Sequence, residues 1–159
     1  MHVLAGLQLS GHADVVLGEG VFVNVDCFID AQAAVTIGDH VSLGDHVRLI
    51  TSTHQDGSSR KRAGALMGRP VSIGSGTWIG SGTTVLPGVN VGAGCVIAAG
   101  SMVTEDCERD SLYAGVPARL KRRLTLNWCR LPADGTARGG ACGRPVTRIL
   151  LKVFRGRWR

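Results

Sequence analysis

The chain has 159 residues, of which 23 are glycine and only 4% are aromatic, so we expect one domain with a core of Val, Ile, Leu and Ala. No stretch reaches the roughly 18 apolar residues of a membrane-spanning helix, and the first residues lack the basic and apolar regions of a secretion signal. The five cysteines are spaced irregularly, unlike a disulfide framework or a Cys-x-x-Cys zinc site, and we therefore expect a cytoplasmic protein with reduced thiols.

The net charge of +6 is unevenly distributed along the chain. Residues 1–120 carry seven basic and eleven acidic residues, a net charge of −4, whereas residues 121–159 carry eleven basic residues and only Asp134, a net charge of +10. Because the basic charge belongs to the tail, the overall basicity does not indicate a nucleic-acid-binding domain. We expect no nucleic-acid partner.

Aliphatic residues recur every six positions from near the N-terminus. Neither an α-helix, with a period of 3.6, nor a half-buried strand, with a period of 2, repeats at six. A six-residue period with a β-branched residue beside a small one is typical of a parallel β-solenoid. One step of eight places two extra residues near Ala31–Gln32. The first ladder residues are Leu17, Val23, Ile29, Ile37, Leu43 and Leu49.

The ladder stops after Leu49 and resumes in phase at Ile73, four whole repeats later. The intervening residues 51–70 are polar and charged, and we interpret them as an excursion loop from one edge of the solenoid. Long excursions from a rigid scaffold are usually functional.

The second part of the ladder has no slip. If three hexapeptides make one triangular coil, residues 18 apart stack on each other, and the chain forms about five coils. The members of this part are Ile73, Ile79, Val85, Val91, Ile97 and Val103.

The solenoid is predicted to end near Arg119, which gives a domain over residues 1–119 and a basic C-terminal extension over residues 120–159. Within the extension, residues 120–129 are compatible with a short basic helix and residues 147–159 with a short amphipathic segment. The extension has three functional interpretations: a flap over the site, a contact with a membrane surface or polyanion, or a helix packed on an oligomer. A solvated tail is the fourth.

Five segments carry a family resemblance through their order and spacing. They are Pro70–Gly74 with Thr77–Gly80, Leu86–Val89, Ala99–Thr104 and Ala114–Arg119. Over roughly residues 16–123 the chain resembles the hexapeptide-repeat acyltransferases, above all the sugar O-acetyltransferases and serine-acetyltransferase-like relatives. The resemblance implies a left-handed parallel β-helix, a homotrimer with sites between subunits, and acetyl-CoA as the donor of an acetyl group to a hydroxyl of a sugar or similar polar acceptor.

His54 is the predicted catalytic residue. It lies where the ladder breaks, and a neutral imidazole titrates near the working pH, as removal of a hydroxyl proton requires. The family's catalytic histidine falls at this place. The resemblance also implies that Asn24 helps to bind the acceptor, although asparagine is common at bends. Asp26 and Asp30 are weaker candidates for the acceptor site.

The resemblance implies that five residues bind CoA: Ser81, Ala99, Thr104, Arg119 and Arg122. Trp78 is added as a cofactor-binding candidate because a large ring at a bend can form a wall of the donor and acceptor cleft. The Ser81 amide is the expected oxyanion donor, and the arginines suit the nucleotide phosphates. Trp78 is also suited to a subunit interface. Glu105 is a departure, because many relatives have lysine there, and a glutamate cannot contact a phosphate in its place.

Four other interpretations stay open. His40 and His46 occupy equivalent repeat positions, as zinc ligands of a γ-type carbonic anhydrase would, but six residues apart they fall on adjacent faces, and we expect no metal. Cys95 and Cys107 are interpreted as small core residues. N-acetylation of an amino sugar is the alternative reaction, and a non-catalytic scaffold is the alternative role.

Overall fold

The computed structural model describes residues 1–124 and 149–151, and these residues form strands and turns with no helix. Short strands stack in three parallel sheets around one core, so that the described chain is a parallel β-helix of triangular cross-section. Among the described residues there is accordingly no helix that could span a lipid bilayer.

Each sheet takes one strand from each successive coil. Sheet A contains β1 (His2–Val3), β4 (Phe22–Val23), β7 (Ser42–Leu43), β12 (Trp78–Ile79), β15 (Val96–Ile97), β17 (Ser111–Ala114) and β18 (Arg119–Arg123). Sheet B contains β2 (Gln8–Gly11), β5 (Phe28–Ala31), β8 (Arg48–Ile50), β13 (Thr84–Val85) and β16 (Met102–Val103). Sheet C contains β3 (Val15–Leu17), β6 (Val35–Ile37), β11 (Val71–Ile73), β14 (Asn90–Val91) and β19 (Ile149–Leu151).

The stacking predicted for the second part of the ladder is confirmed. Ile73 pairs with Val91, Ile79 pairs with Ile97, and Val85 pairs with Val103. The N-terminal coils are two residues longer, since Leu17 pairs with Ile37. The extra residues always occur where the chain passes from sheet B to sheet C. We call this corner, at residues 12–14, 32–34, 51–70 and 86–89, the B–C edge.

The excursion of residues 51–70 is ordered as a β-hairpin. Strands β9 (Ser52–Asp56) and β10 (Ala63–Gly68) pair antiparallel, with an irregularity between Ala63 and Leu66. The hairpin leaves after β8 and rejoins at β11, where Val71 pairs with Val35. It therefore projects from the B–C edge without disturbing the register of the core.

The small residues beside the ladder allow successive coils to approach closely. A Cβ built on Gly74 would lie 2.4 Å from the Ala93 nitrogen, and one built on Gly80 would lie 2.5 Å from the Ala99 nitrogen. The bends also need a left-handed backbone, which glycine adopts without strain; Gly82 has a φ of 67°. Both requirements follow from stacking identical bends.

The C-terminal end of the β-helix differs from the prediction. Residues 120–123, interpreted from sequence as the start of a helix, belong to β18, which pairs antiparallel with β17. The chain reverses over residues 115–118, and the strand closes sheet A by satisfying the edge of β17. The rest of the interval predicted as helical lies outside the described residues.

Only three residues of the remaining extension are described. Ile149–Leu151 runs antiparallel to Val15–Leu17, at the N-terminal edge of sheet C. An edge strand carries unpaired amides and carbonyls, and β19 supplies partners for those of β3. Residues 125–148 and 152–159 lie outside the described residues, so the three interpretations of the tail stay predictions.

Candidate active site

The hairpin that carries His54 is anchored by a buried carboxylate. Asp30, the last but one residue of β5, is only 8% exposed, and its Oδ2 accepts a hydrogen bond from the Ser52 amide at 2.8 Å. The neighbouring Thr51 hydroxyl donates to the Asp30 carbonyl at 2.7 Å. Where the hairpin returns to the solenoid, the Arg69 amide donates a hydrogen bond to the Thr51 carbonyl at 2.8 Å. The point at which the hairpin leaves the solenoid is thus fixed.

His54 lies in the exposed middle of β9, in register with Leu66. Its Nδ1 lies 2.9 Å from the Gly64 carbonyl oxygen of β10. A carbonyl oxygen only accepts, so Nδ1 carries the proton in this contact, and in the neutral ring the lone pair lies on Nε2. The hairpin therefore presents His54 in the tautomer that a general base requires.

Three of the predicted site residues line a different corner, where the chain passes from sheet A to sheet B. We call this corner, at residues 24–27, 44–47, 80–83 and 98–101, the A–B edge. Asn24, Ser81 and Ala99 occupy it on three coils, and the Gly100 amide donates to the Ser81 carbonyl at 2.8 Å. The structure therefore brings together the residues predicted for the acceptor and for the thioester end of the donor.

The side chain of Asn24 is half-buried and oriented by its own bend. Its Oδ1 accepts the Val25 amide at 2.9 Å, which leaves the Nδ2 group to donate to a bound molecule. The left-handed φ of 54° belongs to Asp26 and not to Asn24. Backbone conformation thus explains Asp26 as a bend residue but gives no explanation for Asn24.

Ser81 is held by a neighbouring carboxylate. Its hydroxyl donates to Asp45, and this hydrogen bond is the main cause that lowers the pKa of the Asp45 carboxyl. Among residues 1–124, the Ser81 amide has no hydrogen-bond acceptor, whereas the amides of Gly80 and Gly82 have one each. The Ser75 amide, at another corner, also has no acceptor among these residues. An available amide is therefore a property of the repeat and does not distinguish Ser81. The oxyanion role of Ser81 stays a prediction.

Trp78 opens β12 on the outer face of sheet A, where it is 57% exposed. Its paired neighbours are Ser42 on one side and Val96 on the other. On the same sheet, β17 lies two strands beyond β12, and its Leu112 pairs with Arg122 of β18. This exposed position on sheet A is compatible with both roles predicted for Trp78, a wall of the cleft and a subunit interface.

The residues predicted for the phosphate end of the donor gather at the C-terminal end of the solenoid. Thr104 follows β16, while Arg119 and Arg122 lie in the wholly exposed β18. Arg119 Nη1 lies 3.3 Å from Glu105 Oε2. The glutamate that departs from the family pattern is therefore in contact with a predicted phosphate ligand.

His54 does not join the A–B edge within one chain. The hydrogen bonds and ion pairs of the described residues connect the hairpin only to itself, to Asp30 at the end of β5 and to the B–C edge. One strand of sheet B separates the two edges, which is roughly 15 Å for five residues at about 3.3 Å each. The predicted base and the predicted oxyanion donor therefore occupy different edges of one subunit.

Two supporting residues were missed by the sequence interpretation. Gly64 orients His54 through a carbonyl group, and nothing in a sequence signals which carbonyl a hairpin will place there. Asp30 was considered only for the acceptor, but the structure places it under the hairpin. Its position beside the two-residue insertion was the available signal.

The paired histidines and the cysteines have structural explanations. His40 and His46 both have a φ of 55°, the left-handed conformation that glycine adopts in the other repeats. Within residues 1–124 and 149–151, no three His, Cys, Asp or Glu side chains converge as metal ligands would. Cys95 and Cys107 are buried core residues, as predicted.

Comparison with known proteins agrees with the architecture. The family profile for bacterial transferase hexapeptide (six repeats) matches residues 70–105. A maltose O-acetyltransferase from Clostridium difficile 630 is 30% identical, with a TM-score of 0.66 over 77% of this chain and 70% of that one. A hexapeptide-repeat-containing acetyltransferase from Vibrio cholerae O1 biovar eltor, solved with acetyl-coenzyme A, is also 30% identical, with a TM-score of 0.70 over 78% of this chain and 68% of that one.

A curated relative matches only in part. Nodulation protein L of Rhizobium leguminosarum bv. viciae is 44% identical over 57 residues, which are 36% of this chain and 30% of that protein. The chain thus matches less than a third of the length of that relative. The alignments with the two solved structures cover most of both chains, and they confirm the left-handed parallel β-helix that the family resemblance implies.

Proposed function

The chain belongs to the hexapeptide-repeat acetyltransferases, and on that premise we propose that it transfers an acetyl group from acetyl-CoA to a hydroxyl of a sugar or similar polar acceptor, with His54 as general base. The observation that carries this proposal is the contact between His54 Nδ1 and the Gly64 carbonyl. In the neutral imidazole this contact places the lone pair on Nε2, on an exposed hairpin where a substrate hydroxyl can reach it.

In the proposed reaction the His54 Nε2 removes the acceptor's hydroxyl proton as its oxygen attacks the thioester carbonyl carbon. The Ser81 amide donates a hydrogen bond to the oxygen of the tetrahedral intermediate. The carbon–sulfur bond then breaks, and the CoA sulfur takes the proton back from His54. Transfer is direct, without an acyl-cysteine, in keeping with the burial of Cys27, Cys95 and Cys107.

Donor and acceptor are proposed to bind along the A–B edge. Asn24 donates its Nδ2 group to the acceptor, while the amides of Ser81 and Ala99 contact the acyl end of the donor. Trp78 forms a wall of the cleft. Thr104, Arg119 and Arg122 extend the site towards the phosphates at the C-terminal end of the solenoid.

The separation of His54 from this edge supports a site shared between subunits of a homotrimer. In the proposed three-fold assembly, two different patches meet at each interface: the B–C edge of one subunit faces the A–B edge of the next, and the hairpin of one copy completes the cleft of its neighbour. An equilibrium sedimentation measurement should give three times the chain mass.

Mixed trimers test the shared site. His54→Ala and Trp78→Ala chains, each inactive alone, are unfolded together and refolded as mixtures. We expect the mixture to recover activity, because some interfaces then pair an intact histidine with an intact cleft. A mixture as inactive as its components would contradict the shared site.

The acceptor class is tested by thiol release from acetyl-CoA with a panel of sugars and amino sugars. The similarity to a maltose O-acetyltransferase favours a sugar hydroxyl. We expect an ester product, which hydroxylamine cleaves. An amide product, resistant to hydroxylamine, would favour the second candidate, N-acetylation of an amino sugar, and no thiol release with any acceptor would contradict the proposal.

The proposed location is the cytoplasm, where acetyl-CoA is made and where the three buried thiols stay reduced. The net charge of +10 over residues 121–159 supports contact of the tail with an anionic surface or polymer. Vesicles with and without anionic lipid test this contact, and equal binding to both would contradict it.

A further inference from the structure

Glu105 and Arg119 are brought together by the backbone. Glu105 follows β16, and the Ala118 amide donates to the Met102 carbonyl of that strand at 2.7 Å. This contact fixes the start of β18 over the coil that carries Glu105. The two side chains meet at 3.3 Å, although they are 72% and 55% exposed.

This ion pair contributes little to folding, because exposed pairs are weak and screened by solvent. The pair has a larger effect on the binding of an anion than on folding. A free guanidinium presents a positive charge and a fork of donors to a phosphate. When Arg119 is paired with a carboxylate, its positive charge is partly neutralised and some of its donors are occupied. The carboxylate also repels the phosphate.

The other cations at this end of the solenoid divide into two groups. Arg109 contacts Asp110 at 2.9 Å, and Arg123 contacts Glu108. Lys121 and Arg122 have no acidic partner within the described part of the chain. Of the two predicted phosphate ligands, Arg122 is thus available and Arg119 is occupied.

We propose that Glu105 is a specificity-determining residue, which competes with the phosphates of the thioester donor for Arg119 and so reduces the preference of the enzyme for a phosphate-rich donor. The inference rests on the proposed function and deepens it. Donor binding must break the Glu105–Arg119 pair, whereas a donor without phosphates leaves the pair intact.

The test compares acetyl-CoA with S-acetylpantetheine, which carries the same thioester and no phosphate. In Glu105→Gln we expect the Kd and KM for acetyl-CoA to fall by about 1.4- to fivefold, the range to which exposed ion pairs of usual strength correspond. The kcat and the KM for S-acetylpantetheine should not change. Added salt should reduce the gain.

Glu108→Gln is the matched control, because it removes the same charge at the same end but releases Arg123 instead. An equal gain in Glu108→Gln would overturn the proposal in favour of a general charge effect. A double-mutant cycle with Arg119→Gln gives the second check. The gain should disappear in the Arg119→Gln background, and its persistence there would show that Glu105 does not act through Arg119.

Failure of this inference is distinguishable from failure of the proposed function. If wild-type protein binds acetyl-CoA with the same Kd as Glu105→Gln, the competition is absent while the donor assignment stands. If no variant binds acetyl-CoA in a calorimetric titration, the donor assignment fails, and the role of Glu105 fails with it.

Discussion

The carboxylate of Asp30 accepts the amide hydrogen of Ser52 at 2.8 Å, two residues before His54. Asp30 is buried in the second coil, and Ser52 begins the hairpin that leaves the third. The Ser10 hydroxyl of the first coil lies 3.5 Å from the same carboxylate. Asp30 therefore links three coils at the root of the proposed catalytic hairpin.

Asp30→Ala should misplace His54 without affecting the donor site. Removing the carboxylate leaves the Ser52 amide without its acceptor, and a shift of about 1 Å in a catalytic group can cost about 100-fold in rate. We expect kcat to fall by about 10- to 100-fold with an unchanged Kd for acetyl-CoA. Asp30→Asn, which keeps an acceptor oxygen, should recover much of the activity.

Asp39→Ala is the matched control for this prediction. The Asp39 carboxylate accepts the Glu19 amide at 2.8 Å, a contact of the same kind at a corner that carries no catalytic residue. Both variants lose a carboxylate that accepts a backbone amide, but only Asp30→Ala should lose activity. Equal activity of the two variants would show that Asp30 does not position the hairpin.

The glycines beside the ladder should be more sensitive to substitution than the glycines at the bends. In Gly80→Ala the new methyl group would meet the backbone of Ala99 at 2.5 Å, and such overpacking costs up to about 3 kcal/mol. In Gly82→Ala nothing lies within 4 Å, and only the left-handed φ of 67° is penalised, by about 1 kcal/mol. Urea unfolding of the two variants measures the difference, and a larger loss in Gly82→Ala would contradict the packing explanation.

Most of the fold could be predicted because the repeat is local. The spacing of Ile73, Ile79 and Val85 gives the coil length, the stacking register and the phase at which the excursion returns. The reversal at residues 115–118 could not be predicted, because β18 is determined by the unpaired edge of β17 and not by its own basic sequence. Tertiary pairing thus overrode the local preference for a helix.

The sequence could predict which residues belong to the candidate site, but not how they are arranged. The break in the ladder isolates His54, and the bends after the ladder residues contain Asn24 and Ser81. Their arrangement depends on which corner each bend occupies, and that depends on the two-residue insertions of the early coils. Nothing in the sequence predicts that His54 contacts Gly64 or that Glu105 contacts Arg119.

The buried thiols should make stability depend on alkaline pH. Burial raises the pKa of the Cys107 thiol to about 12, and burial also raises the pKa values of Cys27 and Cys95. Below the ordinary thiol value of 9.0 both states are protonated and stability is unaffected. As the pH rises from 9 to about 12, Cys107 ionises only in the unfolded state, and its contribution to the unfolding free energy should fall by about 1.4 kcal/mol per pH unit. Cys27 and Cys95 act in the same direction.

Urea unfolding between pH 8 and pH 10.5 checks this dependence, with Cys107→Ala as the control. The variant should show a shallower decline, because it has one fewer shifted thiol. Identical slopes for wild type and variant would show that Cys107 ionises equally in the folded and unfolded states.

The assignment of His54 as the base is tested most directly by the turnover of His54→Ala beside that of His40→Ala. Both substitutions remove an exposed imidazole, but His40 occupies a left-handed bend outside the A–B and B–C edges. We expect His54→Ala to lose about 100- to 10,000-fold in kcat, the usual contribution of a general base, while it binds acetyl-CoA like the wild type. His40→Ala should keep its turnover. Activity of His54→Ala within a few-fold of the wild type would contradict the assignment of His54 as the base.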